Sequence, residues 1–264
     1  TLRLYFDPLV ALVHEAGGLI TSFAGDALTA LFPHSLQRHG ADHALYVATR
    51  IQLFFSKNPE YVTRYGKFPF SFKIGLSWGN VDWGIVSTPD NRAFYYFYGA
   101  AVDACAEVEH HAQKGDILLD AAFHQNMPRK DVEPFAQGVF KLSGAPRPKV
   151  MRPAPPPRIT SDGAHFVAPG VIEFPAQGEF RNVSSVFLSF EHVSDIPGLI
   201  TFLHDHSNRY GGTFTGLDFG DKGVNSLVHF GAPIAHENDL DRALDFALEV
   251  RRDLSSSLKV RAVV

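Results

Sequence analysis

The sequence predicts an α+β fold made of two related lobes, and three observations predict it. The first is an internal repeat. His14-Glu-Ala-Gly-Gly-Leu-Ile-Thr-Ser-Phe-Ala-Gly-Asp-Ala-Leu-Thr-Ala-Leu-Phe-Pro33 and the stretch from Asn208 to Pro233 both run Gly-Gly, a short alternating strand, Gly-Asp, then a second strand ending in Phe. The second is that a helical pattern follows each of these hairpins. The third is that strands and helices mix without the strict alternation of a doubly wound fold, which favours a layered sandwich with a largely antiparallel sheet.

Each element follows from local pattern. A Gly-Asp pair between alternating runs, at Gly25-Asp26 and again at Gly220-Asp221, marks a tight hairpin. Ala44, Tyr46, Val47, Ala48 and Ile51 have the spacing of a mostly buried helix. The run 70–79, Phe-Ser-Phe-Lys-Ile-Gly-Leu-Ser-Trp-Gly, alternates like a strand, and 80–86 reads as its hairpin return. A helix is predicted over 101–112 and a short buried strand over 116–120. Ser185-Val-Phe-Leu-Ser-Phe190 reads as a strand. Leu240, Ala243, Leu244 and Ala247 keep helical spacing, and Asn238, Asp239 and Asp241 place acidic groups where the helix dipole favours them. Between the repeats, 144–178 is dense in proline, including Pro155-Pro156-Pro157. Proline lacks the amide hydrogen that sheet and helix interiors need, so this is a linker that wraps or spans. The first lobe is 1–143 and the second 179–264. Thr1 opens inside a helical pattern, and 259–264 reads as the start of a strand, so both ends are expected to continue into something longer.

Composition narrows the function. The chain has 264 residues, 45% of them hydrophobic, enough for a sizeable core. A formal net charge of −4 argues against a nucleic-acid partner, which calls for a basic excess. The single cysteine, Cys105, permits no internal disulfide and points to a reducing, cytoplasmic setting. No apolar run approaches the roughly 18 residues of a membrane span.

The motifs, in their order, resemble class III nucleotidyl cyclases, the tandem catalytic domains of soluble adenylyl cyclases in particular. Phe23-Ala-Gly-Asp26 followed by Ala-Leu-Thr-Ala-Leu-Phe resembles the family's second metal-binding hairpin. Lys73-Ile-Gly-Leu-Ser-Trp-Gly79 resembles its central strand, and Tyr98-Gly-Ala-Ala-Val-Asp-Ala-Cys-Ala-Glu-Val-Glu-His110 with Lys114-Gly-Asp-Ile-Leu-Leu119 its following helix and strand. Phe219-Gly-Asp-Lys-Gly223 and Phe230-Gly-Ala-Pro233 resemble the second lobe. Each motif alone is weak; order and duplication carry the resemblance, which spans nearly the whole chain outside the linker. It implies two ferredoxin-like lobes paired as an intramolecular pseudo-dimer, with further regulatory domains beyond. It also implies conversion of ATP, or GTP, to a cyclic nucleotide and pyrophosphate in signalling. Two Mg²⁺ or Mn²⁺ ions would activate the ribose hydroxyl and neutralise charge. A carboxylate at a rigid hairpin tip suits such oxygen-seeking ions. Asp26 is therefore the metal-ligating and catalytic candidate, Phe23, Ala24 and Gly25 frame the nucleotide site, and Lys73 faces the triphosphate. Without the resemblance, Asp26 reads as a turn aspartate and Lys73 as a solvated strand-end lysine.

The resemblance has departures. The partner aspartate belongs on a strand preceding the first helix, which this sequence does not contain; the corresponding place in the second lobe holds Ser189. The adenine-reading lysine aligns with Gly216, while Lys222 sits at a hairpin tip facing solvent. The transition-state asparagine and arginine fall beyond Val264, and the matching helix of the first lobe offers Asp103 and Glu107. The basic pair that binds bicarbonate in soluble adenylyl cyclases appears as Ser22 and Ala106. These departures keep open a degenerate cyclase pair that senses nucleotide or regulates a partner without turnover. Two other patterns carry less. Gly75-Leu-Ser-Trp-Gly79 matches a hydrolase nucleophile elbow, but that motif needs a helix after the turn and the sequence offers turn and strand. His39 and His43, and His110-His111, read as solvated surface histidines, since two histidines without a third ligand make a weak metal signal.

Overall fold

The computed structural model describes residues 3–35, 39–143, 161–172, 181–220, 223–255 and 259–264. Most of the proline-rich linker, Asp221 and Lys222 lie outside these residues. The chain forms two compact units: 1–81 with 99–157, and 82–98 with 158–264.

The second unit contains a hairpin of β6 (Asp82–Ser87) and β7 (Ala93–Tyr98), a 3₁₀ turn (Ser161–Phe166) and the short helix α5 (Pro169–Ile172). Then follow β11 (Ser184–Glu191), α6 (Ile196–Tyr210), β12 (Thr213–Gly220), β13 (Gly223–Phe230), α7 (Asp239–Leu254) and β14 (Lys259–Val263). The last six alternate as βαββαβ, and the sheet order is β12-β13-β11-β14 with every neighbouring pair antiparallel. That is, in this unit, the ferredoxin-like arrangement the resemblance implies. Its core follows from period two: Val186, Leu188 and Phe190 alternate on one face of β11, each fully buried. Ile200 and Leu203 of α6 and Phe246 and Val250 of α7 cover them.

The first unit contains α1 (Arg3–Glu15), β1 (Leu19–Ala24), β2 (Ala27–Leu31), α2 (Gly40–Lys57), β3 (Glu60–Thr63), β4 (Gly66–Pro69) and β5 (Ile74–Leu76). After the β6–β7 hairpin come α3 (Ala100–His111), β8 (Ile117–Asp120), α4 (Ala121–Asn126), β9 (Val132–Ala136) and β10 (Val139–Leu142). One sheet has the order β5-β8-β10-β9; β1 pairs with β2. Tyr5, Leu9 and Val13 of α1 and Val47, Ile51 and Phe55 of α2 form a shared core, against which Ile20, Leu28, Ala30, Phe32 and Ile74 pack.

The repeat has a physical cause visible twice. Helix α1 ends at Gly17 (φ 75°) and α6 at Gly211 (φ 74°), both left-handed, where a residue with a Cβ is strained. The next amide closes the same cap: Gly18 N–H donates to Val13 O at 2.9 Å, and Gly212 N–H to Ser207 O at 2.7 Å. The second glycine of each pair makes room for a ring. A Cβ on Gly18 would stand 2.6 Å from the Phe32 ring, and one on Gly212 2.6 Å from the Phe230 ring. The Gly-Gly and the Phe that ends each hairpin are thus one packing unit.

Three expectations need correction. The run 70–79 is not one strand: β5 spans three residues and pairs parallel with β8. Residues 80–86 do not return on it; β6 pairs with β7 instead. His43 is not a solvated histidine: it is half-buried, its Nδ1 2.5 Å from Ala16 O, tying α2 to the end of α1. In α7 the buried face is Ala243, Phe246, Ala247 and Val250, while Leu240, Leu244 and Leu248 are exposed.

The tip of the β6–β7 hairpin is fastened to α6 within the second unit. His204 Nε2 lies 2.9 Å from Asp90 Oδ2, Asn208 Nδ2 donates to the same oxygen at 3.2 Å, and the Phe94 and His204 rings sit 5.1 Å apart. Desolvation pushes the Asp90 pKa up, but hydrogen bonds from Thr88 and His204 outweigh it, so the pKa is lowered. A lowered carboxylate contributes stability above its unfolded pKa that is lost as pH falls through the folded one. Asp90→Asn is therefore expected to lower the melting temperature at neutral pH. The gap to wild type should close as pH drops through the carboxylate range, as a calorimetric series would read. A gap independent of pH would contradict this. Among the described residues no helix is long and apolar enough to cross a membrane.

Candidate functional site

The β1–β2 hairpin presents Asp26. The register Ala24↔Ala27 leaves Gly25-Asp26 as a two-residue turn, and Gly25 takes φ 65°, which favours glycine. A Cβ at Gly25 would meet nothing within 4 Å, so the space about the turn is open. Asp26 is exposed. Phe23 is 56% exposed, its ring edge-on to Phe6 at 6.0 Å. The strands that hold this tip are fixed by burial: Ile20, Leu28 and Ala30 pack against the α1–α2 core. An exposed carboxylate on a short rigid turn fits one oxygen ligand of Mg²⁺ or Mn²⁺. It is a partial donor set. The single group of three metal-type ligands among the described residues lies elsewhere and does not include Asp26.

Lys73 immediately precedes β5, and α3 fixes its surroundings. Its Nζ stands 2.9 Å from Glu109 Oε1 and donates to Glu109 O at 3.4 Å. Both side chains are more than a third exposed, so the pair is worth at most about 1 kcal/mol and holds the ammonium only loosely. The remainder of the Lys73–Gly79 motif is contact with the same helix. A Cβ on Gly75 would stand 2.7 Å from Cys105 O and 2.7 Å from Glu109 N, and one on Gly79 3.1 Å from Ala101 Cβ. The Ser77 hydroxyl donates to Ala101 O, and Cys105 Sγ to Gly75 O at 3.4 Å. Ala101, Cys105 and Glu109 recur every fourth residue and so line one face of α3. The glycines exist to let that face approach the strand. This accounts for the G-x-S-x-G spacing without a nucleophile: the next element after β5 is the strand β6, as the sequence suggests, not the helix an elbow needs. Gly75→Ala is expected to cost about 1–3 kcal/mol by pushing α3 off β5, measurable by denaturant unfolding. A loss below about 0.5 kcal/mol would show that the helix yields freely.

Burial, reinforced by Asp120 and Glu109, pushes the Cys105 thiol from an ordinary 9.0 up to about 11. That cuts the thiolate fraction at neutral pH by roughly 100-fold. A thiol reagent such as DTNB is expected to modify the folded chain at least ~100-fold more slowly than the urea-unfolded chain; equal rates would contradict the burial.

In the second unit Gly216 lies in a β-bulge, where the β12–β13 register shifts between Phe214 and Leu217. Its φ is 122°, and Ser226 Oγ donates to its carbonyl at 3.1 Å. The backbone, not a vacant pocket, explains why glycine stands where the resemblance would put a lysine. Ser189 pairs in register with Asn225 and Arg261, and neither neighbour is acidic. His110 and His111 are exposed at the end of α3. Local spacing gave no signal for two clusters that tertiary packing assembles: Asp90 with His204, and His206 with Glu249 and Asp253.

No family model matches the chain. Over 181 residues, 69% of the chain, it is 25% identical to adenylate cyclase type 10 of Mus musculus, of whose length it spans 11%. Among solved structures it is similar to the guanylyl cyclase Cya2 (24% identity, 58% of this chain and 83% of that one, TM-score 0.47). Two others are the guanylate cyclase domain of RhGC from Catenaria anguillulae (19%, 54% and 81%, TM-score 0.46) and the adenylyl cyclase CyaB from P. aeruginosa (16%, 56% and 83%, TM-score 0.45). With superpositions this partial, the ferredoxin-like assignment rests on the strand order of the second unit.

Proposed function

We propose that this chain is part of a class III nucleotidyl cyclase and contributes Asp26 and Lys73 to cyclisation of a nucleoside triphosphate. The observation that carries the reading is the duplicated helix–Gly-Gly–hairpin unit, of which one copy ends in an exposed turn carboxylate at Asp26. The sequence likeness to an adenylate cyclase supports it. In this reading the two ferredoxin-like lobes pair within one chain, and further regulatory domains lie outside it. ATP is the preferred substrate, with GTP as the other candidate, in a cytoplasmic setting. Asp26 supplies one oxygen ligand to two Mg²⁺ or Mn²⁺ ions, which, when bound, assist attack of the ribose 3′-hydroxyl on the α-phosphate. Phe23, Ala24 and Gly25 border the bound nucleotide. Lys73 exchanges its loose pairing with Glu109 for the charge of the departing pyrophosphate.

A second reading is a degenerate pair that binds nucleotide without turnover. The bulge glycine at 216 and the Lys73–Glu109 pair favour it. Cyclic nucleotide formation from ATP and from GTP, with Mn²⁺ or Mg²⁺, separates the two. Product formed by wild type and lost in an Asp26 variant supports the cyclase. ATP or GTP binding with no product supports the sensor.

A further inference from the structure

We propose that α6 and α7 hold a binding site for one divalent transition-metal cation of the zinc type, formed by His206, Glu249 and Asp253. This is independent of the cyclase reading and of Asp26, which lies in the other unit.

The geometry begins with His206, which is 8% exposed. Its ring stacks on Phe202 (centroids 3.8 Å apart), and its Nδ1 lies 2.8 Å from Phe202 O. A carbonyl only accepts, so Nδ1 carries the proton and donates. In the neutral ring this leaves the Nε2 lone pair free to bind a cation, the orientation that metal-ligating histidines are given by a partner on their other nitrogen. Nε2 points between two carboxylates, 3.7 Å from Asp253 Oδ2 and 3.9 Å from Glu249 Oε1. Both are too long for hydrogen bonds. They are close to the roughly 3.3–3.5 Å that separates two donors on one tetrahedral ion with bonds of about 2.0–2.2 Å. Glu249 and Asp253, four apart, share one face of α7.

Two guanidiniums already lie on these carboxylates, and their placement matters. Arg209 Nη1 donates to Glu249 Oε1 at 2.8 Å, and Arg252 Nε to Asp253 Oδ1 at 2.8 Å, with Arg252 Nη2 3.6 Å from Glu249 Oε1. On Asp253 the arginine takes Oδ1 and leaves Oδ2; on Glu249 the oxygen nearest His206 is Oε1, the one Arg209 holds, so a cation at that oxygen displaces the exposed Arg209 guanidinium. Asp253 Oδ2 faces His206. Glu249 Oε2 is buried and makes no hydrogen bond of normal geometry, the Tyr210 hydroxyl being the group that interacts with this carboxylate from outside. A buried anionic oxygen short of a well-placed donor is costly, and a cation adds to what Arg209 and the Tyr210 hydroxyl give this carboxylate. One imidazole nitrogen and two carboxylate oxygens, with water completing the shell, suit Zn²⁺; Mg²⁺ prefers all-oxygen sites and does not compete. The ion would clamp α6 to α7.

Zinc titration of the chain by calorimetry, with the histidine side-chain ¹⁵N resonances followed in parallel, tests this. Expected are a binding event that moves the His206 Nε2 resonance, persists in millimolar Mg²⁺, and weakens on the order of 100-fold in His206→Gln and in Asp253→Asn. Zinc saturation that leaves His206 Nε2 unmoved, no zinc uptake at all, or unchanged affinity in a folded His206→Gln chain would overturn it. Should either variant fail to fold, the wild-type resonance alone decides.

Discussion

If the proposed cyclase reading holds, Asp26→Asn is expected to reduce cyclic nucleotide formation by 100-fold or more while leaving the fold intact. The change keeps the size of the side chain, removes its charge and turns one acceptor oxygen into an amide donor. Metal-ion stabilisation of developing charge is worth several kcal/mol, and each 1.4 kcal/mol is tenfold in rate. Nothing in the packing opposes this separation of effects. Asp26 is exposed, and the turn that carries it is set by Gly25 and by the Ala24↔Ala27 register. Surface substitutions of this kind stay within about 0.5 kcal/mol of wild-type stability. Product assays with Mn²⁺ or Mg²⁺, beside melting curves of both proteins, read the two effects independently. Wild-type activity in the variant would remove Asp26 from the site. Inactivity together with a collapsed melting temperature would assign it a structural role instead.

The largest loss of stability is expected from Phe246→Ala, about 3–5 kcal/mol. Phe246 is fully buried on α7, 5.6 Å from the Phe230 ring and 6.3 Å from Tyr210. Phe230 in turn lies against Gly212, the second glycine of the repeated pair. Deleting the Phe246 ring thus opens a cavity at the point where α6, α7 and the β12–β13 hairpin converge, and a ring braced by backbone cannot collapse into it. Leu248→Ala, two positions on but 63% exposed, is the control and should change stability by less than about 0.5 kcal/mol. Denaturant midpoints measure both. Similar small losses at the two positions would mean that the core refills and that the aromatic contacts add little.

The sequence made the repeat legible because glycine leaves a local signature. Gly17-Gly18 and Gly211-Gly212 are demanded by helix ends and ring contacts close by in the chain, so pattern alone exposes them. Helices α2, α3 and α7 and the buried strand β8 were legible for the same reason, since apolar spacing reports burial element by element, whereas α6 was not predicted. The strand predicted over 70–79 failed because the glycines and small side chains of that run answer to α3, whose approach is a tertiary fact. In α7, spacing identified the helix but not its buried face: Leu240, Leu244 and Leu248 form as good a stripe as Ala243, Phe246, Ala247 and Val250, and only packing chose between them.

By itself, then, the amino-acid order determined a repeated Gly-Gly–hairpin pattern with a Gly-Asp turn in each copy, because turns, caps and periodicity act over a few residues. Only the tertiary structure decided that β6 and β7 pair with each other, that Gly216 is a bulge, that Lys73 rests on Glu109, and that His206 meets Glu249 and Asp253. These depend on which distant surfaces come together, and the free energy of burying them is shared across the whole core and belongs to no local stretch of chain.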